Sequence, residues 1–292
     1  MSKMQFDVII GNPPYQGPNS KKGLGTLWPI FSKKAIEISK DSGIISFITP
    51  SSWMSSGSSL LQDFKDNNLV YFNLDCGNYF KEGSSFSYWI LNKLKPYKYT
   101  KITYLGNDYT LDISSLSYIP NDPTEITMSI LNKTLLSNID KFDIKITSEC
   151  HSQKTKLISY DENSTFKYRV KHTNTAYTYS SFLPSNFKIK KVLWPLTGNF
   201  KPIYDNGTMS TGQNVVWLEV DNKEMAINFI NYIKSNLFKF LLKVCKWSGS
   251  NTRGLFISSI PKIDISRSWA DQDIYEYFNL TQEEIDYIED EV

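Results

Sequence analysis

The sequence predicts an α/β protein whose first part is a doubly wound sheet and whose second part is a mixed α+β domain. Two observations carry this prediction. Apolar strand-like and helix-like segments alternate up to Pro96, and beyond it the segments become shorter, less regular and richer in Thr, Ser, Tyr and Asn. Strands alternating with helices point to a parallel sheet covered on both faces. The expected division is a first domain at 1–105 and a second at 106–292.

Each element has a local reason. Phe6-Asp7-Val8-Ile9-Ile10 is a β-branched run ended by Gly11 and two prolines, which predicts a strand running into a rigid turn. Leu27, Ile30, Phe31, Ala35, Ile36 and Ile38 follow a helical spacing over 27–39, and Asp41-Ser42-Gly43 ends it. Ile44 to Ile48 is a second apolar strand, stopped at Thr49-Pro50. A short helix is expected over 60–67, with strands over 69–74 and 86–91. In the second domain one long helix stands out over 222–244. There Ile227, Ile230, Ile233, Leu237, Phe240, Leu241 and Val244 share a stripe.

The 292 residues carry a formal net charge of only +2, so the average selects no partner. The distribution is more informative. His151 to Arg267 holds 17 Lys/Arg against seven Asp/Glu, whereas Asp271 to Val292 holds nine acids and no base. A basic middle with an acidic tail fits a nucleic-acid partner, and it also fits a solvated lysine-rich surface. Cys76, Cys150 and Cys245 lie far apart with no Cys-x-x-Cys or Cys/His cluster, which argues against a disulfide framework or a zinc site. No run approaches the roughly 18 apolar residues that cross a bilayer, and no signal-peptide pattern opens the chain. A cytoplasmic protein with no membrane partner is the expectation.

The segment with chemistry in it is Asn12-Pro13-Pro14-Tyr15, directly after the first strand. Ligands of open α/β sheets gather at the carboxyl ends of strands. The Asn12 carboxamide oxygen and the Pro13 carbonyl can each accept a hydrogen bond from an amino group. Pro13 and Pro14 fix φ and stiffen the loop, and Tyr15 offers a flat face for a base. An exocyclic amine is a poor nucleophile because its lone pair is delocalised into the ring. Two acceptors fixed around the NH₂ favour a tetrahedral nitrogen with its lone pair aimed outward, so catalysis would rest on orientation and electrostatics. A duplex hides that nitrogen, so the base would be flipped out and stacked on an aromatic ring. The bland alternative is a tight Asx-Pro turn.

Phe6 to Gln16 resembles motif IV of the adenine methyltransferases of bacterial restriction–modification systems. Leu27-Trp28-Pro29-Ile30-Phe31 and Gly43 to Trp53 look like the next helix and strand of that family. Asn78-Tyr79-Phe80 with Ser85 to Trp89 is similar to its later strand pair. The resemblance covers about the first 95 residues. It implies a partial Rossmann-like sheet of the class I methyltransferase kind, followed by a target-recognition domain, with double-stranded DNA as substrate and S-adenosylmethionine as cofactor. It assigns Asn12, Pro13 and Pro14 to the target amine, Tyr15 and Phe86 to base stacking, and Trp28 and Phe31 to the cofactor side of the pocket. The same four-residue motif serves enzymes that methylate cytosine N4, RNA bases or a protein glutamine amide, and a non-catalytic DNA-binding component is a further alternative.

In that family a Gly-rich loop after an earlier strand holds the cofactor. Only eleven residues precede Asn12 in this sequence, and neither Asp75 to Asn78 nor Gly198 to Gly212 gives a clear strand, Gly-x-Gly and helix. The expectation is a protein partner that supplies the missing half, without which Phe6 to Ile10 would be an exposed apolar edge; the rival is a degenerate copy. For DNA contact the expected residues are Lys167, Arg169, Lys171, Lys190, Lys191, Lys246 and Arg253, in stretches that mix bases with aromatics and hydroxyls.

Overall fold

The computed structural model describes residues 5–17, 25–80, 85–93, 99–150, 156–173, 175–196, 200–247 and 258–292. It is a mixed α/β protein with several sheets, in two compact units. One comprises Met1–Thr127 with Cys245–Gly249, and the other Met128–Val244 with Ser250–Val292. None of the described helices is long and apolar enough to cross a membrane.

In the first unit the predicted elements form where the apolar runs lie: β1 (Phe6–Gly11), α1 (Trp28–Ile38), β2 (Ser39–Pro50), α2 (Ser59–Asp66), β3 (Leu69–Asn73) and β4 (Phe86–Asn92). Two further strands, β5 (Thr100–Tyr104) and β6 (Asn107–Leu111), complete a six-stranded sheet of order β1-β2-β4-β3-β5-β6. The expectation of a parallel sheet is corrected. β1 pairs with β2 and β3 with β5 in parallel, but β4 runs antiparallel between β2 and β3, and β6 is antiparallel to β5. A parallel neighbour needs a long crossover. In the described part of the β3–β4 connection, only a single-turn 3-10 helix at Asp75–Tyr79 follows β3.

Coverage on both faces is corrected as well. One face, bearing Ile45, Phe47, Trp89, Leu91, Leu69 and Phe72, is fully buried. Phe64 of α2 packs on Trp89 with ring centroids 4.4 Å apart, and Trp53 meets Phe72 edge-on. The indoles of this core are satisfied internally: Trp53 Nε1 donates to Ser87 Oγ at 2.8 Å and Trp89 Nε1 to Thr49 Oγ1 at 2.9 Å. α1 lies beside α2, tied by Lys33–Asp63 at 3.4 Å. The opposite face is only partly covered. Val8, Ile10 and Ile44 are 58%, 76% and 39% exposed, and Ile48, Tyr71, Tyr88 and Ile90 are half-buried. Since β1 is also the edge of the sheet, its outer backbone groups have no strand beside them among the described residues.

α3 (Glu125–Lys133) begins in the first unit and ends in the second. The second unit contains short strands in two four-stranded sheets. Strands β8 (Ile158–Ser159), β9 (Tyr168–Lys171), β10 (Tyr177–Ser180) and β13 (Ser210–Thr211) make one, in the order β13-β9-β10-β8. Strands β7 (Lys145–Ile146), β11 (Lys190–Pro195), β12 (Ile203–Asn206) and β14 (Val215–Glu219) make the other, in the order β12-β11-β14-β7.

The single long helix expected over 222–244 is two helices, α4 (Lys223–Tyr232) and α5 (Asn236–Val244). Asn222 caps the first by accepting from the Met225 N–H at 2.9 Å. The break comes because the Asn236 N–H is taken by Asp271 Oδ1 at 2.8 Å, while Ser235 Oγ accepts from Phe238 N–H as a new cap. The acidic tail forms α6 (Asp271–Tyr277) and α7 (Gln282–Glu291) and is anchored, not free. Glu284 is buried and accepts from Ser129 Oγ at 2.6 Å and Lys133 Nζ at 2.7 Å, and Glu291 pairs with Lys243 at 2.6 Å.

Candidate active site

β1 delivers Asn12 to Tyr15 at its carboxyl end, beside the carboxyl half of the parallel strand β2 (Gly11 is in register with Phe47). The two proline rings, Pro13 and Pro14, stiffen the exit. Pro13 is buried, whereas Asn12 and Pro14 are exposed and Tyr15 is half-buried. The loop is clamped at its far side by backbone hydrogen bonds, Leu27 N–H to Tyr15 O at 3.1 Å and Gly17 N–H to Gly25 O at 2.7 Å. Tyr15 is therefore fixed by the segment that leads into α1.

Within this loop the Tyr15 hydroxyl donates to Asn12 Oδ1 at 2.5 Å. Burial holds the Tyr15 phenol above its usual range, against the pull of the Asn12 bond, and the nearby Cys76 adds to the rise. The phenol is therefore a neutral donor at physiological pH. Burial likewise pushes the Cys76 thiol up to about 11, against the hydrogen bond that links it to the Tyr88 backbone. That thiol is protonated and unreactive at neutral pH.

Three rings form a row here. Tyr15 meets Phe86 with centroids 5.0 Å apart and planes at 43°, and Phe80 stacks on Phe86 at 4.5 Å and 29°. Phe86 is only 4% exposed, so the residue expected to stack on a base is the inner ring, which supports Tyr15 and Phe80. Phe80, half-buried, is the ring that sequence reasoning missed. The family resemblance includes Asn78-Tyr79-Phe80 as part of a strand pair, without giving Phe80 a place in the site. Of the two residues expected on the cofactor side, Trp28 is packed in the core at 5% exposure and Phe31 stands 45% exposed on α1.

Residues 1–86 match the Eco57I restriction-modification methylase family. The matched segment holds the sheet from β1 through β3, the Asn12–Tyr15 loop and Phe80, and ends at Phe86. A curated protein of Mycoplasma pneumoniae, named an uncharacterized adenine-specific methylase, is 25% identical over 177 residues, which is 53% of this chain and 42% of that protein. Among solved structures, the type IIL restriction-modification enzyme MmeI in complex with DNA is similar over 88% of this chain and 45% of its own, with TM-score 0.45 and 12% identity. The ATP-dependent type ISP enzyme LlaBIII bound to DNA is similar over 97% of this chain and 28% of its own, with TM-score 0.42 and 10% identity. This chain thus spans less than half the length of each of these relatives.

The residues expected to meet DNA divide by burial. Lys167, Arg169, Lys190 and Lys246 are exposed. Lys191 is corrected: it is fully buried in the second unit, where its ammonium pairs with Asp205 at 2.8 Å and donates to the Asn186 and Ile189 carbonyls. Lys171 is corrected too. It is 3% exposed, and its ammonium donates to the Tyr177 hydroxyl at 3.2 Å. Strand alternation accounts for Lys190 and Lys191, the first exposed and the second buried; Lys171 lies on the same face as the exposed Arg169 and is covered by its contact with Tyr177. Arg253 lies outside the described residues.

Proposed function

We propose that this chain carries the base-binding half of a DNA methyltransferase of the restriction–modification kind, acting on the N6 amine of adenine. The observation that supports the reading best is the Tyr15–Asn12 hydrogen bond beside the Tyr15–Phe86–Phe80 row at the end of β1. A carboxamide oxygen has two lone pairs. The Tyr15 hydroxyl fills one and fixes the direction of the other. That second lone pair and the Pro13 carbonyl then accept the two hydrogens of the target amine, turning its nitrogen lone pair toward the methyl donor. The flipped adenine stacks on the free face of Tyr15, with Phe86 behind that ring and Phe80 behind Phe86. No general base is required, and the protonated phenol of Tyr15 fits a positioning task.

The methyl donor of such enzymes is S-adenosylmethionine. The segments leaving the carboxyl ends of β1 and β2, Asn12–Gly17 and Ser51–Gly57, hold no carboxylate for its ribose, and Asp75 after β3 is taken by the Leu105 and Gly106 N–H groups. Of the two residues expected beside the cofactor, Phe31 is exposed on α1 and Trp28 is packed in the core. The open edge of β1, with the exposed Val8, Ile10 and Ile44, fits a further half-sheet bearing the cofactor loop. That half-sheet comes from a second polypeptide or from a segment outside these 292 residues. Exposed Lys167, Arg169 and Lys190 of the second unit, and Lys246 of the first, are the candidate contacts to DNA.

The test is a comparison of wild type with Asn12→Ala in the cell that makes the protein. Immunoprecipitated protein–DNA complexes should be unchanged while adenine methylation is lost. Undiminished methylation with Asn12→Ala would rule out the catalytic reading and leave a DNA-binding component.

A further inference from the structure

Strands β9 and β10 form the middle of one sheet of the second unit, and their register puts Arg169 opposite Tyr179 and Lys171 opposite Tyr177. These four side chains share one face, because alternate residues of a strand point the same way. Val170, Thr178 and Ser180 point to the other face and are buried. The first face has a fixed arrangement of charge. The Arg169 guanidinium carbon lies over the Tyr177 ring, 3.8 Å from its centroid. The Lys171 ammonium lies 4.5 Å from the same centroid and is bonded to the ring's hydroxyl. Lys171 and Tyr177 therefore hold each other, and the pair makes a platform under Arg169, which is exposed.

A guanidinium in contact with an aromatic ring keeps its terminal N–H fork available while losing much of its rotamer freedom before any ligand arrives. That planar fork matches the O6 and N7 acceptors of guanine in the major groove. A lysine, such as the exposed Lys167 whose ammonium lies 5.3 Å from the Tyr168 ring centroid, has no planar fork and suits a phosphate, where a point charge is enough. Resting on the DNA reading above, we propose that Arg169 reads a guanine, so that the recognition sequence contains a G·C pair contacted from β9.

The experiment selects from a random-sequence duplex library with the full chain, using wild type, Arg169→Lys, Arg169→Ala and Lys167→Ala, each checked for an unchanged melting temperature. Wild type should enrich a guanine at one position. Both Arg169 variants should flatten that position by about five- to 150-fold while other positions stay enriched. Lys167→Ala should weaken all sequences alike and reduce the slope of log affinity against log salt by about 0.9. Enrichment left intact in Arg169→Ala, or an equal loss for every sequence, would overturn the guanine assignment while leaving DNA binding standing. Absence of duplex binding by wild type would instead remove the DNA reading itself. A variant whose melting temperature falls would be replaced by Arg169→Gln, whose amide matches adenine rather than guanine and should remove the enriched guanine; an unchanged guanine there would also count against the assignment.

Discussion

Tyr15 has two separable jobs in the proposed site, and substitution can separate them. Tyr15→Phe keeps the ring against Phe86 and removes only the hydroxyl that fixes the Asn12 carboxamide. That bond is short but lies at an exposed position, so its worth is that of an ordinary hydrogen bond, about 1 kcal/mol. The expected loss in kcat/KM is therefore about fivefold. Tyr15→Ala removes the hydroxyl and the stacking face together. Base–aromatic stacking contributes about 1–3 kcal/mol, so the combined loss is about 2–4 kcal/mol, or roughly 30- to 1000-fold. Transfer of radiolabelled methyl groups to duplex DNA by the complete enzyme measures both. A loss beyond about 100-fold for Tyr15→Phe would mean that the hydroxyl takes part in the chemistry. Equal losses for Phe and Ala would mean that no base stacks on Tyr15. Either result refutes this division of labour.

Other consequences follow from the same packing. Asp205→Asn leaves the fully buried Lys191 ammonium without its counter-charge and should destabilise the second unit by about 3–5 kcal/mol in urea unfolding; no change would show that water reaches the pair. Burial alone would push the Glu284 carboxyl up, but hydrogen bonds from Lys133, Ser129 and the Thr281 N–H outweigh it and hold the carboxyl below the usual range. A lowered folded value means that the stabilisation is present above the unfolded value of about 4.3 and is lost as pH falls through the folded one. The melting temperature of wild type should thus drop in acid more steeply than that of Glu284→Gln, and parallel curves would contradict the linkage. The apolar edge at Val8 and Ile10 should make the chain alone self-associate in light scattering, and Ile10→Lys should reduce this. A monodisperse wild type would show that the edge needs no cover.

Much of the first unit was legible because its signals are local. Gly11 and the prolines end β1, Thr49-Pro50 ends β2, and apolar spacing sets α1 and α2 within a residue or two. The insertion of β4 between β2 and β3 was not legible, since strand order depends on pairings between residues distant in the chain. Phe80 was missed because its significance lies in a stack with Phe86 across a turn, not in any periodicity. The break between α4 and α5 has no glycine or proline to announce it; Ser235 and Asn236 carry the cap signal, and Asp271, far along the chain, completes it. Lys190 and Lys191 look alike in sequence. Only strand alternation, with Asp205 waiting across the turn, sends the first to solvent and the second inside.

The most direct measurement identifies the modified atom. DNA incubated with the complete enzyme and methyl-labelled S-adenosylmethionine is digested to nucleosides and separated by chromatography with mass detection. Label on the adenine N6 nitrogen with wild type, and none with Asn12→Ala, is the predicted result. Label on cytosine N4, or label that persists without the Asn12 carboxamide, would contradict it.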